Sequence, residues 1–100
     1  MEFGGFEWDA GNVEKCRKHG VSIVEIESLF LGQPFIGPDP QHSQSERRFR
    51  AAGRTASGRA LFVVFTWRTR SEDKLLRPIS ARYMHSKEIE VYEARKKEIS

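Results

Sequence analysis

The run Ala60-Leu61-Phe62-Val63-Val64-Phe65-Thr66-Trp67 constrains this chain more than any other segment. Its apolar side chains fall on odd and even positions alike, so a strand built from it is apolar on both faces and belongs in the centre of a sheet. Two further strand candidates flank it, at about 46–54 and 74–82. Thr55-Ala56-Ser57-Gly58 makes a hairpin-like connection on one side, and a polar turn around Arg70 to Asp73 makes one on the other. Pro78 removes a ladder donor from the last strand, which predicts an edge or a bulge there.

The N-terminal part reads as a short strand over Phe3 to Trp8 followed by two helices. Asp9 can N-cap the first, over about 10–18, with Val13 and Cys16 on its apolar stripe and Gly20 at its stop. Ser22 and Glu25 form a capping box for the second, whose buried face is Ile23, Ile26, Leu29 and Phe30 and which ends at Gly32 and Pro34. Residues 37–45 read as a loop by composition. A last helix spans about 86–98, with His85 as its cap and Ile89 and Tyr92 toward the core. The order β-α-α-β-β-β-α around a mostly antiparallel sheet is α+β. With 100 residues there is room for a single domain over 1–100, with a small core.

Charge is distributed unevenly. Residues 1–40 hold three basic against seven acidic residues, a net of −4, and residues 41–100 hold fourteen against seven, a net of +7. A basic C-terminal part points to an anionic partner, most often nucleic acid. No apolar run approaches the ~20 residues of a membrane span. No signal peptide is visible, and the expected location is the cytoplasm. Cys16 is the only cysteine, which excludes an intrachain disulfide and a Cys-based zinc site. At a helical core position it reads as a small buried hydrophobe. No phosphate-cradling glycine loop, no H-E-x-x-H and no clustered acidic triplet is present, so no cofactor or metal is expected.

The most unusual segment is 46–54. With a period of two, Glu46, Arg48, Arg50, Ala52 and Arg54 share one face, while Phe49 and Ala51 point into the core. Any one of these arginines is well explained by a solvated face. Together they form like charges on alternate positions, and guanidinium forks fit phosphate oxygens. Arg82 stands at the junction between the last strand and the last helix. His19, beside Lys18, closes the first helix, and His42 lies in the loop ahead of the arginines. Trp8 and Trp67 read as core anchors.

Phe6-Glu7-Trp8-Asp9, Lys18-His19-Gly20-Val21, Glu46-Arg47-Arg48-Phe49, Gly53-Arg54-Thr55 and Ile79-Ser80-Ala81-Arg82, with Glu88 and Tyr92, occur in that order. With these motifs the chain resembles the BrnT family, the ribonuclease toxins of type II toxin–antitoxin systems, from about Phe6 to Glu93. The resemblance implies a RelE-like fold and a cofactor-free, metal-free endonuclease that cuts mRNA and inhibits translation. It also implies a BrnA-type ribbon-helix-helix antitoxin as partner, with operator DNA contacted only through that antitoxin.

On this reading the ribose 2′-hydroxyl attacks its own 3′-phosphate. Arg48, Arg54 and Arg82 hold the phosphate, Glu46 or His42 is the base, and His19 or His42 the acid. Lys18, Arg50 and Arg68 contact RNA. The rival reading is a non-catalytic RNA- or antitoxin-binding module. A DNA-binding regulator is disfavoured, because no helix carries a basic stripe next to a turn.

Overall fold

The computed structural model describes residues 3–42 and 45–99. The elements are β1 (Gly5–Phe6), α1 (Ala10–Arg17), α2 (Ile23–Leu31), β2 (Phe35–Pro38), β3 (Phe49–Arg54), β4 (Ala60–Arg70), β5 (Asp73–Tyr83) and α3 (Ser86–Ile99), with a 3-10 turn at Pro40–His42. The five strands form one sheet in the order β1-β5-β4-β3-β2, so the doubly apolar β4 is central, as its composition requires. β1 pairs with β5 in parallel and the other three pairings are antiparallel. The fold is α+β, with a predominantly antiparallel sheet packed against helices.

Local chemistry sets the element ends. The Asp9 side chain accepts from the backbone of Gly11 and Asn12, and Asn12 returns the bond to the Asp9 N–H, which completes a capping box on α1. The Ser22–Glu25 box forms on α2 as expected. At α3 the His85 N–H donates to Glu88 at 2.8 Å. The β4–β5 turn places Ser71 and Glu72 at φ 48° and 75°, the positive pair that a two-residue hairpin loop demands.

Two expectations need correction. Residues 35–38, of which Gly37 and Pro38 fall in the expected loop, form the edge strand β2 on β3. The strand expected from residue 46 begins at Phe49. Phe49 pairs with Pro38 on one side, and just beyond Pro38 the partner strand gives way to the 3-10 turn at Pro40–His42, which offers no further edge to pair with. Glu46, Arg47 and Arg48 therefore precede the strand, fastened by Thr66 Oγ1 donating to the Arg47 carbonyl and by the Asp39 N–H donating to that of Arg48.

The two faces of the sheet are covered differently. Ala51, Leu61, Val63, Phe65 and Leu76 pack with Cys16, Ile26, Leu29 and Phe30 into the main core. Trp8 and Trp67 are partly buried against that core, and burial pushes the Cys16 thiol up to about 11. Gly53 lies where sheet and helix approach most closely: a Cβ there would sit 2.7 Å from Leu29 Cδ1 and 3.3 Å from Pro34. On the opposite face a smaller cluster of Ala52, Phe62, Phe35, Ile89 and Tyr92 seats α3 over one end of the sheet. Further along that face Arg50 is exposed and Val64 and Ser80 are partly exposed.

Of the edge or bulge expected at Pro78, the β4–β5 ladder contains the bulge, and β5 is not an edge strand. Val64 pairs with Ser80 but Phe65 pairs with Pro78, so Ile79 is the extra residue. The consequence is a change of parity. Leu76 and Pro78 point to the main core on one side of the bulge, and Ala81 does so on the other. Arg77, opposite Thr66, thereby shares the open face with Ser80 and Arg82. Without the bulge it would point into the core.

Candidate active site

Four rungs of the sheet carry the polar face. Arg68 lies opposite Leu75, Thr66 opposite Arg77, Arg50 opposite Val64 and Ser80, and Ala52 opposite Phe62 and Arg82. Successive rungs are two residues apart, a rise of about 7 Å. The sequence-predicted residues fall into two groups along these rungs, with three outliers.

The first group surrounds Glu46. Its carboxylate accepts a hydrogen bond from Arg68 Nη1, and Arg48 Nη2 stands 3.6 Å from its other oxygen. The Arg68 hydrogen bond holds the Glu46 carboxyl below the usual carboxylate range, against the opposing pull of partial burial. These three residues line a cavity of about 210 Å³ with Arg77 and Ile79 of β5 and with Gly11, Asn12 and Lys15 of α1. Four cations, Lys15, Arg48, Arg68 and Arg77, thus meet one carboxylate at this cavity.

Behind it, Glu7 bonds Arg70 at 2.7 Å and Arg77 at 3.2 Å and stands 3.8 Å from Arg68, while Asp9 holds Arg77 at 2.9 Å. Asn12 is 3% exposed and donates to the Pro78 carbonyl at 2.8 Å, fixing α1 against the bulge. Arg77, Lys15 and Glu7 were not among the residues selected from sequence. Pro78 was the available signal for Arg77, because a bulge changes which alternate positions share a face.

The second group surrounds Phe62. The Arg50 guanidinium lies 3.9 Å from its ring centroid and that of Arg82 4.9 Å. Arg82 is held by a two-pronged pair with Glu88, 2.8 Å on each arm. That pair pulls the Glu88 carboxyl down to about 2 and raises the guanidinium of Arg82.

The structure does not bring Arg54, Lys18 or His19 into either group. Arg54 donates to Glu93 at 3.0 and 2.7 Å and to the Gly58 carbonyl at 2.7 Å, tying β3, its hairpin and α3 together. Lys18 and His19 are exposed in the turn after α1. The neighbouring Gly20 carbonyl accepts from Tyr83 Oη at 3.3 Å, and neither Lys18 nor His19 lines the Glu46 cavity. The side chain of His42 lies outside the described residues. Among the described residues no group of three or more His, Cys, Asp or Glu is placed to hold a metal ion.

The model of a known protein family matches residues 8–88, and its description reads ribonuclease toxin, BrnT, of type II toxin–antitoxin system. The chain belongs to the BrnT family. The matched span contains every residue of the Glu46 cavity and both Arg82 and Glu88. A search of curated proteins finds no match. As a BrnT member the chain is a ribonuclease toxin, with RNA as the substrate class and an antitoxin as partner. Among the described residues no helix is long and apolar enough to cross a membrane.

Proposed function

We propose that this chain is a metal-independent endoribonuclease that cuts mRNA in the cytoplasm, with its reacting phosphate held in the Glu46 cavity. The observation that carries the reading is one ionised carboxylate set among Arg48, Arg68, Arg77 and Lys15 at a single cavity. That is a base and a phosphate-binding array in one place.

Glu46 takes the proton of the ribose 2′-hydroxyl, and the 2′-oxygen attacks the adjacent phosphorus. Arg48, Arg68 and Arg77 neutralise the extra negative charge on the phosphorane. The bond from phosphorus to the 5′-oxygen breaks, leaving a 2′,3′-cyclic phosphate. Lys15, on the α1 side of the cavity, supplies the proton to the departing oxygen. Guanidiniums stay charged at any working pH, so they provide the positive charge that a metal supplies in other nucleases. Arg50 and Arg82, one and two rungs away, hold flanking RNA. The antitoxin is a BrnA-type ribbon-helix-helix protein that covers this cationic face and alone contacts operator DNA.

The test is incubation with mixed-sequence RNA in excess EDTA, followed by analysis of the new ends. Products ending in cyclic phosphate and 5′-hydroxyl, formed despite EDTA, support the mechanism. Cutting that requires added metal, or leaves 5′-phosphate ends, contradicts it. RNA that is retarded in a gel but never shortened leaves a binding module instead.

A further inference from the structure

Where α3 crosses the sheet it leaves a cleft of about 350 Å³, within the size range of small-ligand sites. Phe35, Phe62, Val91 and Tyr92 line it together with Arg50 and Arg95, and the one carboxylate in the lining, Glu88, is paired with Arg82 at 2.8 Å. Phe35 and Tyr92 meet edge to face with centroids 5.6 Å apart, so the rings are fixed against each other. Each guanidinium lies over a ring: Arg50 at 3.9 Å over Phe62 and Arg95 at 5.0 Å over Phe35. Val91 is 70% exposed, so the outer wall of the cleft is open to solvent.

We infer that this cleft is a nucleobase subsite for the nucleotide next to the cut phosphodiester. The inference deepens the ribonuclease reading and rests on it for the identity of the chain being held. An apolar cleft edged by guanidiniums matches a flat aromatic body joined to an anion. Unpaired bases stack both on aromatic rings and on arginine planes, and their phosphates take the same guanidiniums. The cleft also lies on the same face of the sheet as Arg68 and Arg77 of the Glu46 cavity. Arg50, which lines it, shares a rung with Val64 and Ser80, one rung from Thr66 and Arg77. Arg77 and Arg50 are one rung and two strands apart, about 12 Å between backbones, so a strand whose reacting phosphate sits at Arg68 and Arg77 passes within reach of the Arg50 side chain and presents a neighbouring base to the cleft. An acidic protein segment would satisfy the cations but not the stacking planes.

The experiment uses a short 2′-O-methyl RNA, which cannot be cut by 2′-hydroxyl attack, and a set of the same oligonucleotides carrying one abasic position each. Binding to the native chain and to Val91→Trp and Arg95→Gln is read by fluorescence anisotropy, with melting curves to confirm folding. One abasic position is expected to weaken binding to the native chain about tenfold, the loss of one stacked base. In Val91→Trp, whose indole fills the mouth, the intact oligonucleotide should bind about tenfold more weakly and the abasic difference should vanish. Arg95→Gln should give a smaller loss in the same direction. If no abasic position matters, or Val91→Trp binds RNA as well as the native chain, the subsite is wrong and the cleft belongs to a protein partner. Because these oligonucleotides cannot react, base-dependent binding by a chain that fails to cut natural RNA would sink the catalytic reading alone. Glu46-dependent cutting with no abasic effect would sink the subsite alone.

Discussion

Glu88 shows how one carboxylate can serve both the site and the scaffold. It grips Arg82 with both oxygens and accepts the His85 N–H at the start of α3. Its folded value of about 2 lies below the unfolded Glu value of roughly 4.3. The stabilisation is therefore fully present above about pH 4.3 and is lost as pH falls through 2. Glu88→Gln should lower stability at neutral pH by about 1 kcal/mol, the discounted worth of a partly solvated pair. Urea melts across pH should show parent and variant converging as pH approaches 2. A constant difference down to that pH would mean the ion pair is not the cause. Glu46 is legible in the sequence as a carboxylate among arginines. Arg48 is legible beside it, whereas Arg68 and Arg77 come to the same cavity from other strands through pairings that no local spacing encodes.

At the scale of elements, the sequence was most informative where a residue acts on its own neighbours. The Asp9 cap, the Ser22–Glu25 box and the Pro78 bulge were each readable, because each is a local hydrogen-bond argument. β2 was not, since Phe35–Pro38 is four residues long and contains Gly37 and Pro38, and it is a strand only because β3 offers it an edge. Gly53 is the tightest sheet-to-helix contact, and Gly53→Ala should destabilise by about 1–3 kcal/mol through overpacking against Leu29 and Pro34. An unchanged denaturation midpoint would show that Leu29 can move aside. His19 lies exposed just beyond the C-terminal end of α1 and does not line the cavity, whereas Lys15, one turn earlier, does. His19→Ala should therefore cut RNA within about threefold of the parent rate, and a loss of a hundredfold would return His19 to the chemistry.

Across the whole molecule, the uneven charge resolves into a division of labour. The acidic N-terminal part is largely used internally: Glu7 and Asp9 orient the arginines, Glu25 accepts from Tyr83 and Glu27 accepts from Trp8. Of the basic C-terminal part, Arg50, Arg68, Arg77 and Arg82 share one face of the sheet. If Arg48, Arg68 and Arg77 each neutralise a phosphate, single-stranded RNA affinity should fall with salt at a log–log slope of about −2, and steeper with Arg50 engaged. Arg50→Ala should shallow that slope by about 0.7. An identical slope would take Arg50 off the RNA path. The central claim is that chemistry happens at Glu46 and not at the arginine pair on Phe62. The most direct test is the single-turnover cutting rate of Glu46→Gln and Arg68→Ala beside Arg82→Ala, at saturating RNA. We predict that Glu46→Gln loses at least about a hundredfold, the usual worth of a general base, with Arg68→Ala following it and Arg82→Ala much less affected. A native rate in Glu46→Gln together with a collapse in Arg82→Ala would contradict the account and move the active centre to the other end of the sheet.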